Sequence, residues 1–232
     1  MNIVKLEWDS NFFCKRIGKL DVSVLDNIND ILVKIEENKT YYDLLYIFSP
    51  EDIRFPNIGG LKLVDRKVVF RGDIERIEYE ISPKIKFYNN SVPNKNLIDL
   101  AIISAQYSRF KIDEKFNNTD YLRLYNCWIT NSVNKTFANA VLCYYDNDII
   151  IGMITLKIIN DVGVIGLLAV DTNVQNKGIA SQLINAAKDY LFKNKVFYIE
   201  VATQIDNEKA CHLYMKNNLT KSSVTNIYHF WL

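Results

Sequence analysis

At 232 residues and 49% hydrophobic side chains, the chain can form one large domain or two small ones around a packed core. Lys and Arg number 28 against 27 Asp and Glu, for a formal charge of +1, so nothing in the balance points to nucleic acid or a membrane surface as the main partner. Two histidines and four cysteines without CxxC spacing argue against a metal site and fit free buried thiols in a reducing cytosol.

The opening Met1-Asn-Ile-Val-Lys has no long apolar region, and no run approaches the roughly 18 apolar residues of a membrane span. A cytoplasmic chain is therefore expected. Residues 1 to about 92 read as a small α/β unit. Val4 to Trp8 alternates like an edge strand, and Phe12 and Phe13 follow as core rings. Asn27 to Asn38 carries Ile28, Ile31, Leu32 and Ile35 at helical spacing. Tyr41 to Ser49 is strand-like, Gly59-Gly60 marks a turn, and Leu61 to Phe70 and Arg71 to Ile81 read as two strands. Pro83 to Pro93 is the best linker candidate, which divides the chain into 1–92 and 93–232.

Helical spacing resumes from 97 to 110, with Arg109 to Asp113 read as a following loop. Thr119 or Asp120 caps a helix whose apolar face holds Leu122, Tyr125, Trp128, Ile129 and Val133. Phe137 to Tyr145 and Ile149 to Ile159 form a hairpin around Asn147-Asp148. Val164 to Val170 is almost wholly apolar, as a strand buried on both faces would be. Then come a glycine-containing turn, a helix from Ile179, a strand over Val196 to Thr203 and a helix from Asn207. Thr220 to Thr225 has no clear period, and Asn226 to Leu232 reads as a terminal strand.

The chemistry concentrates between Gly163 and Tyr214. Gln175-Asn-Lys-Gly178-Ile-Ala180 sits between the buried strand and an amphipathic helix. The first turn of a helix leaves N–H groups unpaired and carries partial positive charge, so it suits a phosphate. At Gly178 and Ala180 the side chains are small enough for a diphosphate to approach the backbone.

This Gln-x-x-Gly-x-Ala pattern in that setting resembles motif A of the GNAT superfamily of acetyl-CoA-dependent N-acetyltransferases. Four further phrases are similar to the dTDP-fucosamine acetyltransferases of that superfamily: Trp8-Asp-Ser-Asn-Phe-Phe13, Ala105-Gln-Tyr-Ser-Arg-Phe110, Ile165-Gly-Leu-Leu-Ala169, and Val201-Ala-Thr-Gln204 with Asn207. The resemblance touches both ends and the middle of the chain. It implies a mixed α/β (α+β) GNAT fold with a small N-terminal α/β domain forming part of the acceptor site. It also implies acetyl-CoA as co-substrate, no metal, and transfer to the amine of a dTDP-linked amino-dideoxy sugar by direct attack in a ternary complex. A homodimer is expected from the resemblance alone.

Carried onto this sequence, the resemblance makes Tyr214 the proton donor to the departing sulfur. Asn207 becomes a cofactor contact two helical turns earlier. The backbone of Leu168, Ala169 and Val170 partners the pantetheine arm, and Gln175, Asn176, Lys177, Gly178, Ile179 and Ala180 surround the diphosphate. Asp65 aligns with an acidic residue that can take the amine's proton, directly or through water. Arg109 and Asp113 are candidate contacts for the nucleotide sugar, although Arg109 fits a plain ion pair equally well. Two other readings stay open: acetyl transfer to another amine (a protein N-terminus, a lysine, a polyamine or a drug), and a non-catalytic acyl-CoA-binding module.

Overall fold

The computed structural model describes residues 2–53, 55–75 and 77–232. Ten strands form one mixed sheet: β1 (Ile3–Lys5), β2 (Ile17–Asp21), β3 (Leu44–Pro50), β4 (Leu61–Asp73), β5 (Ile85–Phe87), β6 (Ala140–Asp146), β7 (Ile149–Ile159), β8 (Val162–Val170), β9 (Tyr198–Gln204) and β10 (Thr220–Trp231). Seven helices flank it: α1 (Glu7–Phe13), α2 (Ile28–Asn38), α3 (Lys95–Ser104), α4 (Arg109–Ile112), α5 (Asn118–Val133), α6 (Ile179–Lys193) and α7 (Glu208–Lys216). The mixed α/β expectation holds.

The strand order is β1-β2-β3-β10-β4-β9-β8-β7-β6-β5. The N-terminal strand β4 therefore lies between β10 and β9, in the interior of the sheet. Its partners run antiparallel on both sides, from Lys67 opposite Gln204 to Asp73 opposite Tyr198, and from Leu61 opposite Phe230 to Arg71 opposite Thr220. The register on the β10 side shifts between Ile227 and Tyr228, where Val64 is the extra residue of β4. Val64 and Asp65 are consequently both buried although they are neighbours in a strand.

One side of the sheet is filled by α6, whose Ile179, Leu183, Ile184, Ala187 and Leu191 are buried against β6, β7 and β8. Gly163 is what lets Leu191 this close: a Cβ there would sit 2.3 Å from Leu191 Cδ1. A second core joins α3, α4 and α5 to the rings of Phe13, Phe110 and Phe116, and a third packs α2 against β2, β3 and β10.

Several sequence expectations change here. The first expected strand is only Ile3–Lys5; Trp8 belongs to the helix α1. Leu61 to Phe70 and Arg71 to Ile81 are not two strands, because β4 runs unbroken to Asp73 and ends there. Pairing with β9 and β10 holds it extended through Arg71 and Gly72. Arg76, within the second expected strand, lies outside the described residues, as does Met1. The 83–93 linker contains β5, an edge strand on β6. The 97–110 helix breaks after Ser104, and Ser108 caps a separate α4, so Arg109 is helical. Asn117, not Thr119 or Asp120, caps α5 through a capping box with Asp120. The unassigned 220–225 segment is the start of β10, exposed over most of its length and therefore without a periodic signal. Of the four cysteines, all free, only Cys143 is buried.

Asp113 ends α4 with its side chain turned inward. It is 3% exposed, and its Oδ2 accepts hydrogen bonds from His229 Nδ1 at 2.6 Å and Trp231 Nε1 at 2.9 Å. Burial pushes this carboxyl up, but the bonds from His229, Trp231 and the Lys115 amide hold it below the usual carboxylate value. Burial drives the His229 imidazole down to about 4, so the ring is neutral at pH 7. This cluster ties α4 to the last strand. Asp113→Ala would leave one buried and one half-buried donor without an acceptor, at a cost of about 3 kcal/mol. Urea unfolding should register that loss, and an unchanged midpoint would refute the bracing role.

Candidate functional site

A cleft of about 1270 Å³ opens along β8 and β9 and runs from the start of α6 to α1, α4 and α5. Its origin is a break in the sheet. β8 and β9 pair in parallel from Val162 opposite Tyr198 to Ile165 opposite Val201, and there the pairing stops. On its other side β8 carries a bulge, since Ile165 faces Leu156 but Leu168 faces Ile154. Gly166 and Leu167 thus stand against the single residue Thr155. Thr155 is buried, and its Oγ1 accepts the Leu167 N–H at 2.8 Å. A Cβ on Gly166 would lie 2.9 Å from that oxygen. β9 meanwhile stays paired to β4 as far as Gln204. The two central strands therefore diverge, leaving main-chain groups of β8 without a strand partner.

Which groups these are follows from ladder alternation. The Asp171 N–H donates to Ile151 O at 2.8 Å, so Ala169 two residues earlier also pairs toward β7. Leu168 and Val170 turn their main-chain groups toward the gap. Gln175 Nε2 reaches back to Val170 O at 3.1 Å, consistent with that direction. Ala169 turns its main-chain groups toward β7, and all three residues line the cleft.

A 3-10 turn at Thr172–Val174 leads to the expected anion-binding turn. Asn176 and Gly178 both have positive φ, +63° and +78°. A Cβ at Gly178 would meet nothing within 4 Å, so the turn is open on the side where a ligand would approach. Among the described residues, none of the N–H groups from Asn176 to Ser181 has an acceptor. That is a set of donors at a helix start, suited to a diphosphate by direction and by charge. Gln175, Asn176, Gly178, Ile179 and Ala180 line the cleft, whereas Lys177 is exposed and not part of its wall.

On the β9 side, Asn207 caps α7, its Oδ1 accepting from the Ala210 N–H at 3.3 Å. Tyr214 lies two turns further on the same side, lines the cleft and is 5% exposed. Its ring packs at 5.7 Å from Phe70. Burial raises this phenol above its ordinary range, with Cys211 adding to the effect, so it is a protonated donor at neutral pH. His212 is exposed and its Nδ1 is bonded to Glu208 O.

At the far end stands Asp65, 8% exposed. Oδ2 accepts from Gln204 Nε2 at 3.3 Å, while Oδ1 has no partner in the protein. Burial pushes this carboxyl up to about 6; Gln204, Arg109 and Lys67 pull it down and Asp206 adds to the rise. Arg109 lies close by, with its guanidinium carbon 4.7 Å over both Tyr46 and Phe110 and its Nε without an acceptor. Asp113, four residues on, is not part of the cleft wall.

Sequence reasoning missed Thr155, Asp9 and the rings of Trp8, Trp128 and Phe137, all in the wall of the cleft or beneath it. Thr155 had a signal, since it is the one hydroxyl in the apolar run Ile149 to Ile159. Among the described residues, no group of three or more His, Cys, Asp or Glu could hold a metal, and no helix is long and apolar enough to cross a membrane.

No curated protein sequence matches the chain. Solved structures match it in fold. A conserved protein of unknown function from Staphylococcus epidermidis superposes with a TM-score of 0.64 at 12% identity, over 98% of this chain and 90% of that one. A GCN5-related N-acetyltransferase from Sphaerobacter thermophilus gives 0.54 at 13%, over 99% and 75%. A GNAT-family acetyltransferase from Novosphingobium aromaticivorans gives 0.54 at 11%, over 82% and 75%. The family model described as "Acetyltransferase (GNAT) family" matches residues 102–218, just over half of the chain and all of the divergent-strand site except Asp65 and the α1 wall. The chain belongs to the GNAT acetyltransferase family.

Proposed function

We propose that this protein transfers acetyl from acetyl-CoA to the amine of a dTDP-linked amino-dideoxy sugar, by direct attack with both substrates bound. The observation that carries the acetyl-transfer part is the divergence of β8 from β9 beside a helix start whose N–H groups lack acceptors. Acetyl-CoA supplies an acetyl group on a good leaving thiol. Gln175 to Ala180 hold its diphosphate, with Lys177 contributing charge from outside the cleft. The main chain at Leu168 and Val170 continues the broken ladder into the pantetheine amides, and Asn207 makes a further contact. The nucleotide-sugar part rests on the sequence phrases around Trp8, Arg109 and Val201, together with an N-terminal unit that forms the acceptor wall.

The residues divide the proton work by their surroundings. Asp65, half ionised near pH 6, takes the proton from the incoming ammonium or from a water beside it. Tyr214 gives its proton to the sulfur as the bond to carbon breaks. A phenol at roughly 10 or above does not protonate a thiolate of roughly 8.5 in advance, so the two events are concerted. Donors directed at the thioester oxygen stabilise the charge that builds there. Arg109 contacts the acceptor. The protein acts as a dimer in this reading, and its place of work is the cytoplasm.

Turnover with acetyl-CoA and a panel of dTDP-4-amino and dTDP-3-amino sugars, free amino sugars, spermidine and peptides is the direct test. Release of CoA thiol with the dTDP-amino sugars above all others is expected. Preference for a peptide or a polyamine would end the sugar reading, and binding of CoA without thiol release from any amine would end the catalytic one. Tyr214→Phe should lower kcat by about 100-fold, the usual scale for loss of a positioned acid. In the wild type, kcat/KM should rise with pH through a limb near 6 as Asp65 ionises, and Asp65→Asn should remove that limb. If the limb persists in the variant, another group is the base. Thr155→Val deletes the acceptor of the Leu167 N–H, so the KM for acetyl-CoA should rise about tenfold if the bulge sets the gap. An unchanged KM would show that the strands diverge without it.

A further inference from the structure

Asp9 stands in the wall of the same cleft as Asp65 and Arg109, within electrostatic reach of the Arg109 guanidinium. It lies in the first turns of α1, half-buried beside the exposed ring of Trp8. A carboxylate in that position normally finds a partner. Among the described residues this one makes no ion pair and accepts no hydrogen bond from another residue. Arg109 attracts it but stands beyond ion-pair distance, its guanidinium held over Tyr46, Phe48 and Phe110. Burial has raised the Asp9 carboxyl, and Arg109 offsets that only in part. A group placed to brace the fold would be bonded, as Asp113 is. Asp9 is open to the cleft instead, bonded only by its own backbone N–H.

A second acid of the cleft also has a free oxygen. Asp65 is more than nine-tenths buried, and its Oδ1 has no partner within the protein. The far end of the cleft thus presents two carboxylates with free oxygens against one guanidinium. That sum favours a cation, which an amine is before it reacts. Two acids with different burial can also do different work. The more buried Asp65 is shifted to where it can exchange a proton near neutral pH, whereas Asp9 is the better fixed anion.

We infer that Asp9 is the specificity-determining residue for the amine: its carboxylate accepts hydrogen bonds from the acceptor's ammonium and holds the nitrogen against Asp65. The proton then leaves to Asp65 and onward to solvent, and Asp9 stays ionised throughout. This rests on the acetyl-transfer reading and is indifferent to whether the amine is carried on a nucleotide sugar.

The test compares wild type, Asp9→Asn, Asp9→Glu and Asp65→Asn, with acetyl-CoA and whichever of the sugar, polyamine and peptide amines is turned over fastest. Asp9→Asn should raise the KM for the amine about tenfold or more, the scale of a lost bond to a charged group. Its kcat should stay within about threefold, and the KM for acetyl-CoA and the limb near pH 6 should not move. Asp9→Glu should recover part of the loss. Because no other described residue bonds the native carboxylate, the melting temperature of Asp9→Asn should be unchanged or higher. An amine KM within about twofold of wild type overturns the inference. So does a parallel worsening of both KM values with a lower melting temperature, which would mark a structural role. If the fastest amine is not a nucleotide sugar, the sugar reading fails while Asp9 is tested on that amine. Failure of every amine overturns acetyl transfer and the role of Asp9 together.

Discussion

One hydrogen bond, from the Leu167 N–H to Thr155 Oγ1, accounts for a cleft within a continuous sheet. β7 and β8 are apolar and long enough to pair in register along their whole length, and β8 and β9 could do likewise. The hydroxyl gives the Leu167 amide a partner inside the bulge, so the extra residue does not leave a buried donor orphaned. Gly166 has no side chain to collide with that oxygen. Once β8 bends there, its pairing with β9 cannot continue past Ile165. The gap then owes nothing to loops: its walls are strands fixed by their outer neighbours, β7 on one side and β4 on the other.

The second wall depends on the N-terminal segment. β4 is threaded between β9 and β10, so residues far apart in the chain face each other across the cleft. The bulge at Val64 rotates Asp65 off the alternation of its strand and into the interior, within reach of Gln204 on β9. Burial does the rest. A carboxyl in water would be fully ionised at neutral pH and a poor match for exchanging a proton with an amine; desolvation moves Asp65 toward the working range.

Much of this was legible in the sequence, and the limits are physical. The turn at Gly178 was visible because a glycine set between an apolar strand and an amphipathic helix marks the junction where the chain must turn sharply. Asn207 and Tyr214 came from the family resemblance, and their spacing placed the pair on one side of a helix. The length of β4 was not, since its extension past Phe70 depends on distant partners in β9 and β10 rather than on its own pattern. Arg109 and Asp113 looked alike in sequence, two charged residues in one short polar stretch. Only the placement of β10 tells them apart, because His229 and Trp231 occupy Asp113 and leave Arg109 to the cleft. Asp9 had no signal beyond its place between Trp8 and Phe13: an acid near the start of a helix is ordinarily there for the helix dipole.

That contrast within α4 bears on how the fold separates support from chemistry. Each buried polar atom left unbonded costs about 1–3 kcal/mol, a sizeable fraction of the net stability of a domain. The structure tolerates this at Asp65 Oδ1 and Arg109 Nε, both at the cleft, and also at Tyr46 Oη, Asn226 Oδ1 and His229 Nε2 outside its wall, but not at the Asp113 carboxylate, one helical turn from Arg109. The same short helix therefore carries a saturated acid facing the core and an unsaturated cation facing the ligand side. Had selection acted on stability alone, the second would have been paired like the first. Of the unpaired buried groups among the described residues, Asp65 Oδ1 and Arg109 Nε are the two whose residues line the cleft, on elements braced by paired groups, and so are the two whose hydrogen bonds a substrate can complete.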